Sequence, residues 1–308
     1  MKTDIDALYK AAEIEEAISD PRTAHLVIDK DQVAGANEVE GLRVDPTPIE
    51  DGVEVAITVE EGAVIEKPVH MCFGVTELEG LQKINLNLRL EPRSKVGILA
   101  HCVFPQARDV RHVMDAEIDI GQGADYSYLE KHVHSPSGGI KVVSRAQVNL
   151  AEKARFHTDF ELIKGRVGDL EIDYDTRCER ESVMEMTAKV NGSGDDRIKI
   201  DEKGQLLGEG ARGVLNTRVA VRERSKAQVN NELIATAAGA RGHVDCKEII
   251  QDEGEANAVP IVTVKHPEAH VTHEAALGSV DEKQLDTLMA RGLEEEEAVD
   301  LIIEGLLS

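Results

Sequence analysis

The sequence has no tryptophan, and Phe, Trp and Tyr together supply 3% of its 308 residues. A core centred on stacked rings is therefore disfavoured. The interior must be mostly Val, Ile, Leu and Ala, which suits thin stacked strands. Cysteine is also scarce: Cys72, Cys102, Cys178 and Cys246 lie far apart and none forms a Cys-x-x-Cys pair, so no disulfide framework is encoded. No run reaches the apolar length that crosses a bilayer, and residues 1–10 lack the apolar core of a signal peptide. These absences predict a soluble, cytoplasmic protein with reduced thiols and no membrane partner. Basic residues are outnumbered, 35 Lys and Arg against 59 Asp and Glu, for a formal net charge of −24. Such a chain repels phosphate backbones, which excludes general nucleic-acid binding. The acidity is that of a solvated surface suited to a salty cytoplasm. No P-loop, Gly-x-Ser-x-Gly or His-Glu-x-x-His motif occurs, so any ATP hydrolysis must come from a partner.

What is present is a repeat. From Val53 the chain alternates apolar and polar residues with period two, through Val55, Ile57 and Val59. An apolar residue before a polar turn recurs at Val59, Leu90, Ile120, Leu150, Val190, Val221 and Ile250. The spacing is about 30 residues, with one interval of about 40 between Leu150 and Val190, within the range of stacked repeat architectures. The tetrapeptide Gly-Ala-Arg-Gly occurs at residues 210–213 and again at 239–242. A unit of two strands cannot bury its apolar face alone, so neighbours stack around one elongated core. The pattern fits a β-solenoid; a long antiparallel meander has the same periodicity.

Helical spacing flanks the repeat. Ile5, Leu8, Ala12, Ile14, Ala17 and Ile18 predict an N-terminal helix capped by Asp4 and ended by Pro21. After it come one apolar run, residues 25–28, and a polar stretch in which Pro46 and Pro48 mark the entry to the repeat. At the other end Asp281 and Gln284 form a capping box, Leu285, Leu288 and Met289 follow on one face, and Gly292 is placed to end the helix. Acidic residues 294–297 open a second helix with a stripe of Val299, Ile302, Ile303 and Leu306. The expected organisation is a helix and linker over 1–50, the repeat over 51–278, and a helical region over 279–308.

Residues 239–307 carry a specific pattern. Ala-Arg-Gly-x-x-x-Cys ends at Cys246, Pro260 opens a strand, and His273-Glu274 follows. Then come Val280-Asp281-Glu282 with Gln284-Leu285, Arg291-Gly292-Leu293, and Glu297-Ala298 with Gly305. In order and spacing this resembles the C-terminal core of the SufB/SufD family of iron–sulfur cluster assembly proteins, in a short, archaeal-like form. The likeness extends more weakly back to Val53. It implies a mainly β fold, a right-handed parallel β-helix with a short N-terminal helix and a small C-terminal helical domain. It further implies a non-catalytic scaffold that handles a transient Fe–S cluster. Such a scaffold dimerises through the β-helix, with itself or with a second SufB/SufD paralogue. It binds a SufC-type ATPase through the C-terminal helices, here Leu285, Leu288, Met289, Arg291, Gly292 and Ile302.

The same resemblance implies site residues. Cys102, after the turn Glu91-Pro92-Arg93-Ser94, matches the sulfur-accepting cysteine that ends a Tyr-Ile-Glu-Gly-Cys-like strand, with His101 or Lys95 as a source of thiolate character. A second family cysteine is replaced by Val264. His273 and Glu274 match the family pair near the subunit interface, and with Cys246 they are the candidate metal ligands. Adjacent strand residues point to opposite faces, so His273 and Glu274 cannot share one ion unless the backbone bends or a second subunit contributes. Cys246 is also readable as a buried structural thiol. His132 and His134 share one strand face, a spacing that can bind a metal but reads more simply as a solvated pair, and residues 192–196 read as a turn and not as a calcium loop. Two other readings fit a β-solenoid: a carbohydrate-active enzyme, disfavoured by the scarcity of sugar-stacking rings, and a purely structural solenoid.

Overall fold

The computed structural model describes residues 8–308; Asp4 and Ile5, expected in the first helix, lie outside them. Among the described residues nineteen strands form two sheets and alternate between them from β4 onward. Sheet 1 contains β1 (His25–Asp29), β2 (Gln32–Asn37), β5 (Val69–Gly74), β7 (Lys95–Phe104), β9 (Asp125–His134), β11 (Arg155–Lys164), β13 (Val183–Gly192), β15 (Arg212–Val221), β17 (Arg241–Ile250) and β19 (His270–Gly278). Sheet 2 contains β3 (Leu42–Ile49), β4 (Gly52–Val59), β6 (Glu79–Leu90), β8 (Asp109–Ile120), β10 (Ile140–Leu150), β12 (Gly168–Cys178), β14 (Arg197–Leu206), β16 (Lys226–Ala235) and β18 (Glu255–Val264). From β4 onward each strand pairs in parallel with the strand two places along, so the fold is a parallel β-solenoid and not a meander. Only the hairpins β1–β2 and β3–β4 are antiparallel; they extend both sheets at the N-terminal end.

The interval of 40 residues in the sequence pattern is not an insertion. In sheet 2 the pairing runs Val59, Leu90, Ile120, Leu150, Cys178, Leu206, Ala235, Val264, so one rung takes between 28 and 31 residues throughout. Val190 and Val221 belong to sheet 1, where Val190 pairs with Val219 and Val221 with Gly192 and Ile250. The sequence series therefore moved from one edge of the solenoid to the other at Val190. The reason is physical: both edges carry polar turns preceded by apolar residues, and a period of one rung does not distinguish them.

Along one edge each rung turns through a left-handed residue. Gly62, Arg93, Gly123, Lys153, Glu181, Gly210 and Gly239 all have positive φ and stack along one edge. The amide of each, from Gly62 to Gly210, donates to the turn of the next rung, as in Arg93 N to Gln122 O at 2.9 Å. The twice-used Gly-Ala-Arg-Gly has two separate causes. Gly210 and Gly239 supply positive φ, while Gly213 and Gly242, paired across β15 and β17, lie against Leu233, where a Cβ would crowd that side chain.

The core lies between the sheets and is almost wholly aliphatic, as the composition required. Helical segments cover the outer face of sheet 1. At the N-terminal end Leu8, Ala12 and Ile14 bury Val27, Cys72 and Val103. This helix is broken at Glu13 (φ 58), after which α1 spans Glu15–Ser19. At the C-terminal end α2 spans Glu282–Met289, and Gln284 N donates to the capping Asp281 carboxylate at 2.8 Å. Gly292 then adopts φ 97, the left-handed turn expected of it. In α3 (Glu295–Leu307), Val299, Ile303 and Leu307 pack on Ala220 and Val280. Pro260 lies inside β18 and does not open it; β18 is the edge strand of sheet 2, where a missing N–H can be tolerated. Among the described residues no helix is long and apolar enough to cross a membrane.

Candidate functional site

Strand β9 inverts the usual burial rule. Tyr126, Tyr128, Glu130, His132 and His134 face the interior, whereas Leu129 and Val133 face outward and are half-buried. His132 and His134 are thus core residues and not a solvated pair, because Tyr126 and Tyr128 fix which face of the strand is inside. Glu130 is 1% exposed. Burying a carboxylate costs several kcal/mol unless it is paired, so its partners must be found.

They form a chain across the solenoid. The Arg166 carbonyl accepts from His134 Nδ1 at 3.3 Å, which leaves His134 Nε2 to accept from His132 Nδ1 at 3.0 Å. His132 Nε2 then faces Glu130 Oε1 at 2.7 Å, and one proton bridges that contact. Glu130 Oε1 also receives the Cys102 thiol at 3.7 Å, while Oε2 has no hydrogen-bond partner. From sheet 2, Gln82 donates its Nε2 to the carbonyls of Gly74 at 2.9 Å and Lys30 at 3.1 Å. Its orientation is therefore fixed, and its Oε1 accepts from His112 Nδ1 at 2.9 Å. The free His112 Nε2 lies 3.8 Å from Cys102 Sγ.

The electrostatics follow from burial. His112 is pushed down to about 3, first by desolvation and then by His132, so it is neutral. The Cys102 thiol is raised well above its usual range by burial, with Glu130 adding to the effect. Burial is the largest single influence and raises Glu130, but the hydrogen bond and charge of His132, together with His112 and Tyr128, outweigh it and the carboxyl is lowered. Neither expected source of Cys102 thiolate reaches it. His101 points to the opposite face of β7, and Lys95 pairs with Asp125 in solvent at 3.2 Å. Sulfur acceptance at Cys102 needs a thiolate, which this environment opposes. Among the described residues Cys102, Glu130 and His132 are the one group of metal-capable side chains whose ligand atoms all lie within 4.8 Å of one another. This Cys/Glu/His cluster could coordinate a metal ion.

A second polar cluster sits near the C-terminal end of the solenoid. Cys246 is buried on β17, and Asn231 Nδ2 donates to Thr217 Oγ1 at 2.6 Å and to Cys246 Sγ at 3.7 Å. Glu202 and Glu248 are buried beside it; Glu202 Oε2 and both Glu248 oxygens have no partner. Desolvation raises Glu202 to about 8, Glu248 to about 7 and Cys246 to about 12. One rung outward, His273 pairs in register with Val244, Glu274 with Asp245 and Ala275 with Cys246. His273 and Glu274 are exposed and alternate between faces, so they do not join Cys246 in one donor group. The pre-terminal residues Leu285, Leu288 and Ile302 are half-buried, while Arg291, Gly292 and Met289 are exposed.

Sequence reading missed Gln82, His112, Glu130, Glu202 and Glu248. One signal was available: the Tyr-Ile-Glu-Gly-Cys-like pattern is spelled more closely one rung after Cys102, as Tyr128-Leu129-Glu130-Lys131-His132. The turn at residues 192–196 is confirmed: Asp196 accepts from Ser193 N and Gly168 N at 3.1 Å and from Arg166 at 3.2 Å.

Residues 76–306 match the family described as SUF system FeS cluster assembly, SufBD core domain. An iron–sulfur cluster assembly SufBD family protein of Methanocaldococcus jannaschii is 33% identical over 303 residues, covering 98% of this chain and 96% of that protein. A second, from Pyrococcus horikoshii, is 33% identical over 300 residues, covering 97% and 91%. With a parallel solenoid, a helical C-terminus and matches spanning almost its whole length, the chain belongs to the SufBD family of iron–sulfur cluster assembly proteins.

Proposed function

We propose that the chain is a non-catalytic scaffold on which a transient iron–sulfur cluster is assembled at the open end of the solenoid, in a complex with a SufC-type ATPase. The observation that carries this reading is the last rung. β18 and β19 are edge strands with no partner on their outer side, and Val264 and Leu277 are 47% and 45% exposed. Behind β19, on β17, lie a buried thiol, Cys246, and the buried carboxyl of Glu248, with Glu202 deeper in sheet 2 on β14; among the described residues Glu202 Oε2 and both Glu248 oxygens have no partner. An uncovered edge backed by unsatisfied ligand groups is the pattern of an incomplete site. A second copy joined edge to edge would cover the strands and bring His273 and Cys246 from both chains to one seam. The α2–α3 pair, fixed to sheet 1 by Val299, Ile303 and Leu307, leaves Met289 and Leu301 exposed, a surface on which an ATPase would dock.

Anaerobic reconstitution with iron and sulfide tests the cluster. Wild type should develop sulfide-to-iron absorbance and Cys246→Ser and His273→Ala should lose most of it; equal yields from all three would remove the claim. Light scattering should give a dimer that Val264→Asp converts to monomer. Co-purification with a SufC-type ATPase should fail for Met289→Asp, a change at an exposed position that leaves the core intact. A carbohydrate-active reading gains nothing from the structure: the groove on sheet 2 lined by Lys141, Asp169, Glu171, Arg197 and Lys199 presents interleaved charges and no aromatic ring.

A further inference from the structure

We propose that Cys102, Glu130 and His132 bind one divalent late first-row metal ion inside the solenoid, zinc or iron(II) by donor type; His112 Nε2, 3.8 Å from Cys102 Sγ, lies outside this trio and would have to move to add a fourth donor. This goes beyond the cluster-assembly reading and concerns a different part of the molecule.

Each imidazole is oriented by a hydrogen bond at its Nδ1. The chain Arg166 carbonyl, His134, His132 leaves His132 with Nδ1 protonated and Nε2 facing Glu130 Oε1. The chain of backbone carbonyls, Gln82, His112 likewise leaves His112 with Nδ1 protonated and Nε2 aimed at Cys102. Two independent relays, one from each sheet, thus orient two imidazoles for ligation. Metal-binding histidines are held by just this kind of second hydrogen bond. One Nε2 faces the carboxylate of the cluster and the other faces its thiol, an orientation that a merely structural pair does not need.

A thiolate, a carboxylate and neutral imidazoles offset a divalent cation, so the loaded site is electrically neutral in the interior. Binding releases the thiol proton and the proton held between Glu130 and His132, which balances the two charges of the ion. Without an ion, the fully buried Glu130 is left with one oxygen unpartnered, an unfavourable arrangement for a core carboxylate.

Donors around a tetrahedral zinc-sized ion stand roughly 3.3–3.7 Å apart. Cys102 Sγ lies 3.7 Å from Glu130 Oε1 and 3.8 Å from His112 Nε2. The contact between His132 and Glu130, now bridged by a proton at 2.7 Å, would open by roughly half an ångström to admit the ion. The donor set of sulfur, nitrogen and oxygen selects zinc, iron(II) or cobalt(II) over magnesium or calcium.

Cobalt(II) is the probe. The full-length protein is refolded in its presence, freed of loose metal and examined by absorbance and metal analysis. One cobalt per chain is expected, with a thiolate-to-cobalt charge-transfer band in the near ultraviolet. Cys102→Ser should abolish that band, and Glu130→Gln should lower affinity at least tenfold. His134→Phe, which touches no metal, should weaken binding about 10- to 100-fold through loss of the relay. Cys246→Ser should leave the band unchanged, which separates this site from the cluster seam at the open end. Circular dichroism identifies any variant that fails to fold, and Glu130→Gln and His134→Phe each stand as independent readouts if Cys102→Ser does. Folded wild type that retains no cobalt, or a charge-transfer band that survives in folded Cys102→Ser, overturns the proposal.

Discussion

Cys102 and His132 stand opposite each other in register on β7 and β9, one rung apart, with thiol and imidazole both inside the solenoid. On sheet 2, Gln82 and His112 stand in the same relation on β6 and β8. The stacking that repeats aliphatic side chains elsewhere here repeats polar ones, so two short polar columns face each other across the core. Each column is anchored to backbone at its far end, by Gln82 on Gly74 and Lys30 and by His134 on Arg166.

Gln82→Leu should therefore cost more than the loss of one hydrogen bond. It leaves the carbonyl of Lys30 and the Nδ1–H of His112 without the partner Gln82 provides in a dry interior, while the Gly74 carbonyl keeps the amide of Lys30. An unsatisfied buried group costs about 1–3 kcal/mol, so a loss on the order of 3 kcal/mol is expected in urea unfolding. A change within about 0.5 kcal/mol would show that water satisfies these groups.

The repeated glycines make a second case. Gly242→Ala places a methyl against Leu233 and should destabilise by about 1–3 kcal/mol through overpacking. Combined with Leu233→Ala, which removes the obstructing atoms, the cost should be less than the sum of the two single changes. Additive losses in thermal or denaturant unfolding would show that the conformational freedom of Gly242, and not the space it leaves, is what matters.

These examples show what the sequence could and could not disclose. Aliphatic alternation from Val53 and the turn spacing near 30 residues report burial directly, and a stacked repeat of strand pairs was legible from them. Which edge a turn occupies was not, because Leu150 and Val190 look alike to a period of one rung. Strand direction was equally hidden, since a hairpin and a rung use the same polar turns. The helical end was legible because caps and breakers act locally, as Asp281 and Gly292 do. The interior cluster was hidden because Glu130 and His132 violate the pattern by which interiors are recognised, while Leu129 and Val133 occupy the outward face. Only pairing across rungs brings Cys102 beside a residue 28 positions away.

The cap at Asp281 sets a third expectation. α2 has eight residues, too few for stability by itself, and none of them is buried. Asp281→Ala removes the acceptor for Gln284 N and should cost about 1 kcal/mol locally. Amide exchange over residues 282–289 should accelerate several-fold, while the melting temperature of the solenoid stays where it was. A matching drop in both would mean that α2 unfolds only with the solenoid. Weaker capture of a SufC-type ATPase by this variant would further tie docking to the order of α2.

The buried carboxylates near the open end predict a pH dependence opposite to that of ordinary surface acids. Glu202 is raised from 4.5 to about 8 by desolvation alone. Below the unfolded value both states hold the proton and Glu202 contributes nothing unfavourable. Between the unfolded and folded values the native state binds more protons than the unfolded chain, so stability falls as pH rises and levels off above about 8. Glu248, raised to about 7 by burial, acts in the same direction. Glu202→Gln keeps the shape and removes the titration. Its stability relative to wild type should increase from pH 5 to pH 8 by on the order of several kcal/mol, read by denaturant unfolding at fixed protein concentration. Parallel curves for the two proteins would mean that Glu202 is solvated or paired in solution, and that the interior behind Cys246 is wet.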